Sequence, residues 1–308
     1  MADPPPRHGF TIEWTFEGCR TLVLTGPWSS EAESALRAGD ADGLWLNFAR
    51  GWCGSRDLTF LPDGLPVRHL LVLDPTLESF AGIEQLSAGL EFLRVGDCRP
   101  TARLELWPLV RLTRLHARWQ QVVETLSQAA SLRHLVITDG YESASLENFP
   151  LSGRLQALKM YEANRLESLN GVQAFAQLES LRIVVARRLR DIAALASMRE
   201  SLLELEFYQC PRLDSLAAVG ELTRLRSLEV NNCRSLRTIK PVGALANLDW
   251  FEALGTTRIG DGDLSPLLRL PSLTKVRIDG HRGYSPSVSS IKQHLRGRGA
   301  PTPRAWPS

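Results

Sequence analysis

Apolar residues in this chain recur in one short frame, Leu-x-x-Leu-x-Leu-x-x-Cys. It reads Leu90, Leu93, Val95, Cys98, then Leu202, Leu205, Phe207, Cys210, and again Leu225, Leu228, Val230, Cys233. Less complete copies occur at Leu132, Leu135, Ile137, at Leu155, Leu158, Met160 and at Leu178, Leu181, Ile183. The alternation inside each copy is that of a strand with one buried side. Taking the first inward residue of each strand as a marker gives Leu22, Leu44, Leu70, Leu93, Leu115, Leu135, Leu158, Leu181, Leu205, Leu228, Phe251 and Val276. Most intervals are 22 to 24 residues, with 26 before Leu70, 20 before Leu135 and 25 before Val276. A fixed period of this length marks a repeat architecture in which no single unit buries its own apolar face, so neighbours must stack.

Between strands the apolar beat changes to three, as in Leu166, Leu169, Val172, Phe175, Leu178 and in Leu213, Leu216, Val219, Leu222, Leu225. A period of three suits 3₁₀ turns, which place residues i and i+3 on one edge. On these residues the chain resembles the leucine-rich-repeat family, over nearly its whole length, and its shorter repeats look like those of bacterial internalins. The resemblance implies an α/β solenoid, a horseshoe with about twelve short parallel strands on the concave face and mainly 3₁₀ segments on the convex side. It also implies that Cys98, Cys210 and Cys233 form a buried structural ladder, since family members carry Asn or Cys there. Free cysteine commonly packs as a small apolar residue.

Terminal repeats need covers. Phe10, Ile12, Trp14 and Phe16 alternate with polar residues, which predicts a half-buried cap strand over residues 9–20. Ser29 to Gly39 has an N-cap serine, Glu in the first turn and a closing Gly, which predicts one true helix. A second helix, from about Ser287 to Leu295, is predicted as the C-terminal cap. The expected organisation is a disordered start over 1–8 and one domain over 9–297. Within it, 9–39 forms the cap and first repeat, 40–280 the repeats and 281–297 the closing cap. Residues 298–308 are expected to form a flexible tail, its Trp306 a frayed end rather than an anchor.

Residues between the buried leucines project from the concave side of the sheet, and these are the positions the fold leaves free. Three zones are expected there. Trp45, Leu71, Leu73 and Phe92 make an apolar patch; Arg94, Arg114, Arg118, Lys159 and Arg182 make a basic middle, and His116 is expected on the same concave face as a partner-facing residue. Glu204, Glu206, Glu229 and Glu252 make an acidic stretch, with Tyr161, Tyr208 and Trp250 interspersed. Adjacent strands lie about 4.8 Å apart, so Glu206, Glu229 and Glu252 should stack as like charges with little compensation. Arg and aromatic residues are enriched in binding hot spots, and a phosphate backbone would be repelled along the acidic strands. The expected partner is therefore a protein held on the concave face, with nucleic acid disfavoured.

Composition changes this picture little. The chain has 308 residues, 36 Lys+Arg and 34 Asp+Glu, so no net field draws it to nucleic acid or membrane. Lys occurs only at 159, 240, 275 and 292; this Arg bias is of the kind GC-rich genomes impose, and a bacterial origin is expected from it. The start shows no basic region followed by an apolar run, and no apolar stretch approaches the roughly 20 residues of a membrane span, so a cytoplasmic location is expected. Five dispersed cysteines build neither a disulfide framework nor a CxxC pair. GWCGS, Gly51 to Ser55, resembles a cysteine nucleophile only locally, with no histidine at an assignable spacing. His116 and His134 are expected as diagonal neighbours on adjacent strands, about 7–8 Å apart, without a third metal ligand. No GxxxxGK[ST], HExxH or GxSxG motif occurs. The expected function is a non-enzymatic binding module, an adaptor or regulatory subunit, needing no cofactor; the alternatives are an inhibitor or immunity protein occluding a toxin or enzyme, and a bacterial effector. Oligomeric state is left open.

Overall fold

The computed structural model describes residues 9–15, 18–151 and 153–299, so Phe16 and the expected tail from 300 onward lie outside the described residues. The chain forms two compact units, divided between Thr138 and Asp139.

In the first unit, β1 (Phe10–Trp14) runs antiparallel to β2 (Arg20–Leu24), and the short helix α1 (Ser30–Arg37) follows. Then come β3 (Gly43–Asn47), β4 (His69–Leu73), β5 (Phe92–Gly96), β6 (Arg114–Ala117) and β7 (His134–Ile137), each parallel to the one before. One turn of helix, α2 (Trp119–Val122), lies between β6 and β7. In the second unit the sheet runs β8 (Ala157–Tyr161), β9 (Ser180–Val184), β10 (Glu204–Tyr208) and β11 (Ser227–Asn231). A small parallel pair, β12 (Ser235–Leu236) with β14 (Arg258–Ile259), flanks it. The main sheet continues through β13 (Trp250–Ala253) to β15 (Lys275–Ile278), and α3 (Val288–His294) closes the unit.

All twelve marker residues fall in strands, and the register sets each against its counterpart in the neighbouring repeat, as Leu181, Leu205, Leu228, Phe251 and Val276 show. Both predicted three-residue series, Leu166 to Leu178 and Leu213 to Leu225, are fully buried. They lead into 3₁₀ turns at Val172–Ala174 and Ala217–Glu221, and further turns of this kind occupy Ala193–Met198, Lys240–Ala244 and Ser265–Arg269.

Five strands are left through the same sharp turn. Asp97, Glu162, Val185, Gln209 and Asn232, each directly after a strand, all have φ between 49° and 63°. In the second unit the amides of Glu162, Val185, Gln209 and Asn232 then donate to Val184, Tyr208, Asn231 and Leu254 of the next repeat. Non-glycine residues rarely adopt this region, so at these four positions the inter-repeat hydrogen bond must offset its cost. Beneath these turns lies the cysteine ladder. Cys98 donates to the carbonyl of Gly96 at 3.4 Å, Cys210 to Ile183 at 3.8 Å and Cys233 to Asn231 at 3.2 Å. In the next repeat Thr257 does the same work, donating to Val230 at 2.8 Å and accepting from the Cys233 amide at 3.0 Å.

The helices form as predicted. Ser29 accepts from the Ala32 amide at 3.2 Å, and Ser287 caps α3 by accepting from the Ser290 amide at 3.2 Å. The cap strand departs from expectation in two ways. It is only Phe10–Trp14, and its apolar side is not half-buried, since Trp14 is 73% exposed. Phe10 and Ile12 align with the core residues Leu24 and Leu22, but among the described residues no further strand pairs outside β1. The alternation is that of a strand, but Trp14 on its apolar side stays uncovered.

Candidate functional site

The open side of each sheet, opposite the leucine core, carries the columns expected from the sequence. In the first unit Val23, Trp45, Leu71, Arg94 and His116 face one another across consecutive strands, and Phe92, Arg114 and His134 form the adjoining column. His116 aligns with Val136 and His134 with Arg114, the expected diagonal arrangement. The apolar zone is more covered than the columns imply: Leu71 and Phe92 are only 2% and 1% exposed, while Trp45 and Leu73 are half-buried. Phe92 is enclosed by rings and a cation. His69 and His116 meet it edge-on, with centroids at 5.7 and 5.1 Å, and the Arg114 guanidinium lies 4.8 Å over its face. These geometries match the ring's negative face and positive edge. Burial is the chief cause holding His69 and His134 below the ordinary imidazole value, and the Arg114 charge adds to it in both. Arg94 remains exposed and Arg118 half-buried.

In the second unit one central column runs Lys159, Arg182, Glu206, Glu229, Glu252, Arg277 in strict register. The three carboxylates stack as expected, but the expectation of little compensation is corrected. Arg182 Nη2 lies 3.3 Å from Glu204 and its Nη1 3.6 Å from Glu206, while Arg277 lies 2.8 Å from Glu252. Asn231 also donates to Glu252 at 2.8 Å, and the Ser180 hydroxyl to Glu204 at 3.2 Å. Arg182 therefore belongs with the acidic zone rather than the basic one, because its nearest charges are on the next strand. Nor is the acidic row a loosely solvated face: Glu204, Glu229 and Glu252 are all buried. Tyr161 and Tyr208 are half-buried beside them. Lys159 lies 4.8 Å over the Tyr161 ring and Lys275 4.5 Å over Trp250.

Arg277, Asn231 and Ser180 thus hold the carboxylates of the candidate row, although the sequence reading did not single them out. Their signal was present: each lies one repeat from the carboxylate it contacts. The GWCGS segment has a structural explanation. Trp52 is buried and donates Nε1–H to the buried Asp74 at 2.9 Å, while its ring packs 5.2 Å from that of Phe60. A side chain at Gly54 would run into that ring at 1.9 Å, so glycine is required there, and Cys53 simply points outward. Among the described residues no group of three or more His, Cys, Asp or Glu is placed to hold a metal ion. No described helix is long and apolar enough to cross a membrane.

No protein-family model matches the chain, and no curated protein matches its sequence. Solved structures do. An internalin from Listeria monocytogenes aligns over 84% of this chain and 75% of its own, at 20% identity and a TM-score of 0.51. A leucine-rich-repeat protein of Leptospira interrogans aligns over 82% of this chain, which spans 64% of that protein, at 20% identity and a TM-score of 0.57. At such identities the likeness speaks for the fold alone. With the repeat period, the strand register and the 3₁₀ turns already seen, it establishes that the chain folds as leucine-rich repeats of the internalin kind.

Proposed function

We propose that the chain is a non-enzymatic protein-binding module, an adaptor or regulatory subunit, that holds a protein partner against the open, concave side of its strands. A cationic segment of that partner crosses Glu206, Glu229 and Glu252. The observation that carries the reading is the row itself. Three carboxylates stand in register on adjacent strands, two of them, Glu229 and Glu252, buried. Like charges opposite one another destabilise a sheet, and withdrawing charge from water costs more. The fold does not need them: the leucine core on the other side is complete without them. Residues that oppose the fold and remain clustered on one face fit a site better than a solvated surface.

The test is charge reversal. A partner recovered from the source cells by cross-linking and mass spectrometry is titrated calorimetrically against the native chain and against Glu206→Lys/Glu229→Lys. The expected result is a loss of about tenfold or more in affinity with the circular dichroism spectrum retained. Unchanged affinity would remove this row from the interface.

A further inference from the structure

The second unit carries another charged surface, made not by its strands but by the turns that leave them. Segments 162–167, 185–190, 209–214 and 232–237 follow β8, β9, β10 and β11, and each opens on a residue of positive φ, Glu162, Val185, Gln209 or Asn232. Together they hold seven arginines and three carboxylates, whereas the whole chain has 36 Lys+Arg and 34 Asp+Glu. A general bias toward arginine supplies the residue type but not this imbalance. Main-chain bonds keep the segments in line. The Arg190 amide donates to Glu167 at 3.1 Å and the Arg237 amide to Asp214 at 2.8 Å, beside the inter-repeat bonds of the turns themselves. The ladder spacing of about 4.8 Å per repeat therefore extends beyond the strands.

Carboxylates within these segments neutralise only part of the charge. Glu167 holds Arg190 at 3.2 Å and Arg188 at 3.7 Å, and Asp214 holds Arg237 at 2.6 Å. Arg165, Arg187, Arg212 and Arg234 remain. All four are exposed, and no carboxylate of the described residues lies within ion-pair reach of them. They fall one to a repeat in four consecutive repeats, alternating between two adjacent positions. Arg165 and Arg212 are third after the residue of positive φ, Arg187 and Arg234 second. Four repeats span about 14 Å, the length of about four residues of extended chain. Glu162, also exposed, opposes the field only at the Arg165 end.

The surroundings select the kind of anion. The four segments contain no aromatic residue, so bases would find no stacking platform there. The nearest rings, Tyr161 and Tyr208, belong to the open side of the strands with the glutamates. Glu206 and Glu229 precede Arg212 and Arg234 by only six and five residues, so a phosphate polymer broader than the turns would meet carboxylates. Among the described residues every large apolar side chain that is exposed lies in the first unit, which leaves this surface nothing to insert into a membrane. A narrow chain bearing carboxylates meets neither obstacle, and guanidinium groups pair with carboxylates through two parallel hydrogen bonds.

We propose that Arg165, Arg187, Arg212 and Arg234 bind an acidic segment of a protein, its Asp and Glu side chains lying along the turns that follow β8 to β11. The proposal goes beyond the reading of the glutamate row and does not depend on it. The probes are fluorescein-labelled peptides of about ten residues followed by fluorescence anisotropy: Glu and Asp spaced by Gly, and the same peptide with Gln and Asn for the acids. Saturable binding of the acidic peptide is expected, weakened by added salt, with none for the neutral one. Arg165→Gln/Arg187→Gln/Arg212→Gln/Arg234→Gln should weaken it by about tenfold or more, with the circular dichroism spectrum retained because all four positions are exposed. Removing four exposed cations elsewhere, as Arg20→Gln/Arg226→Gln/Arg282→Gln/Lys292→Gln, should change affinity by less than about twofold, since distant charges are screened. Unchanged affinity in the first variant, or equal loss in both, overturns the site. A thymidine oligonucleotide of about ten residues and phosphatidylserine vesicles are titrated alongside. Tighter binding of either that is lost in the first variant would assign the arginines to phosphate and overturn the protein segment. Reversal of Glu206 and Glu229 should not weaken the peptide. Failure of the turn arginines therefore shows in the peptide titrations, and failure of the glutamate row in the titration of the native partner.

Discussion

Replacing Arg182 tests how the acidic row is held. Its guanidinium sits 3.3 Å from Glu204 and 3.6 Å from Glu206, and the three side chains are 12%, 10% and 19% exposed. At an effective dielectric of about 20, each attraction amounts to about 5 kcal/mol. Desolvation of three ions, at several kcal/mol each, offsets most of it. The intact group thus adds little net stability, yet removing the cation alone leaves two carboxylates shielded from water and without the charge that faces them both. Arg182→Met preserves the aliphatic packing of the stem and should destabilise the chain by about 3 kcal/mol. That is the low end for a broken buried pair, because Glu206 keeps some contact with solvent. The triple variant Arg182→Met/Glu204→Gln/Glu206→Gln should recover to within about 1 kcal/mol of the native chain, since neutral amides carry no charge to strand. Urea unfolding followed by circular dichroism measures both, and hydrogen exchange at β9 and β10 amides localises the loss. A cost below about 0.5 kcal/mol for Arg182→Met, the level of an exposed pair, would refute the argument. So would a triple variant no more stable than the single one.

Two further outcomes follow from titrating groups. His69 and His134 are held below the ordinary value, chiefly by burial and further by Arg114, so the unfolded chain takes up their protons first. Their contribution to stability is intact above about pH 6.5, the unfolded value, and declines as pH falls below it. His69→Gln/His134→Gln should flatten the fall in urea midpoint between about pH 7 and about pH 5, and an unchanged slope would contradict this. Among the thiols, Cys53 is exposed while the other four are buried. Burial pushes Cys98 up to about 11; Cys210 is raised first by its hydrogen bond with Cys233 and then by burial. Ellman's reagent at about pH 8 should titrate one thiol in the native chain and all five in denaturant, and rapid modification of Cys98 or Cys210 in the folded state would count against the ladder.

Much of this architecture is legible from residue order because a repeat protein writes its neighbours at a constant distance. Once Leu205 and Leu228 are recognised as equivalent, Glu206 and Glu229 must stand side by side, and no tertiary information is needed. The same rule placed His116 diagonal to His134. What stays hidden is whatever depends on where a side chain bends or what lies over it. Arg182 reads as basic in a column, yet its long stem takes the charge across to β10, where it neutralises Glu204 and Glu206. Phe92 reads as exposed apolar area, yet His69, His116 and Arg114 close over it. Trp14 reads as half-buried, because an edge strand shows the same alternation whether or not another layer covers it. The Trp52–Asp74 hydrogen bond joins residues 22 apart in segments where the repeat frame is interrupted, so periodicity gave no reason to pair them.

The corrected charges sharpen the proposed function. Arg182 and Arg277 bracket the row at either end, on the strands before Glu206 and after Glu252. Glu229 lies between two other carboxylates, with Asn231 orienting Glu252 from the same strand. Folding has therefore already met the desolvation of Glu229 and Glu252 and fixed their positions before a partner arrives. A lysine or arginine entering at Glu229 would gain attraction from three carboxylates without ordering them, and preorganisation of that kind raises affinity by lowering the cost of association. The flanking arginines also limit where such a cation can settle, since displacement by one strand toward either end brings it beside a fixed like charge. On the proposed reading the bracketing arginines set the register of the partner, and the central glutamates supply the attraction.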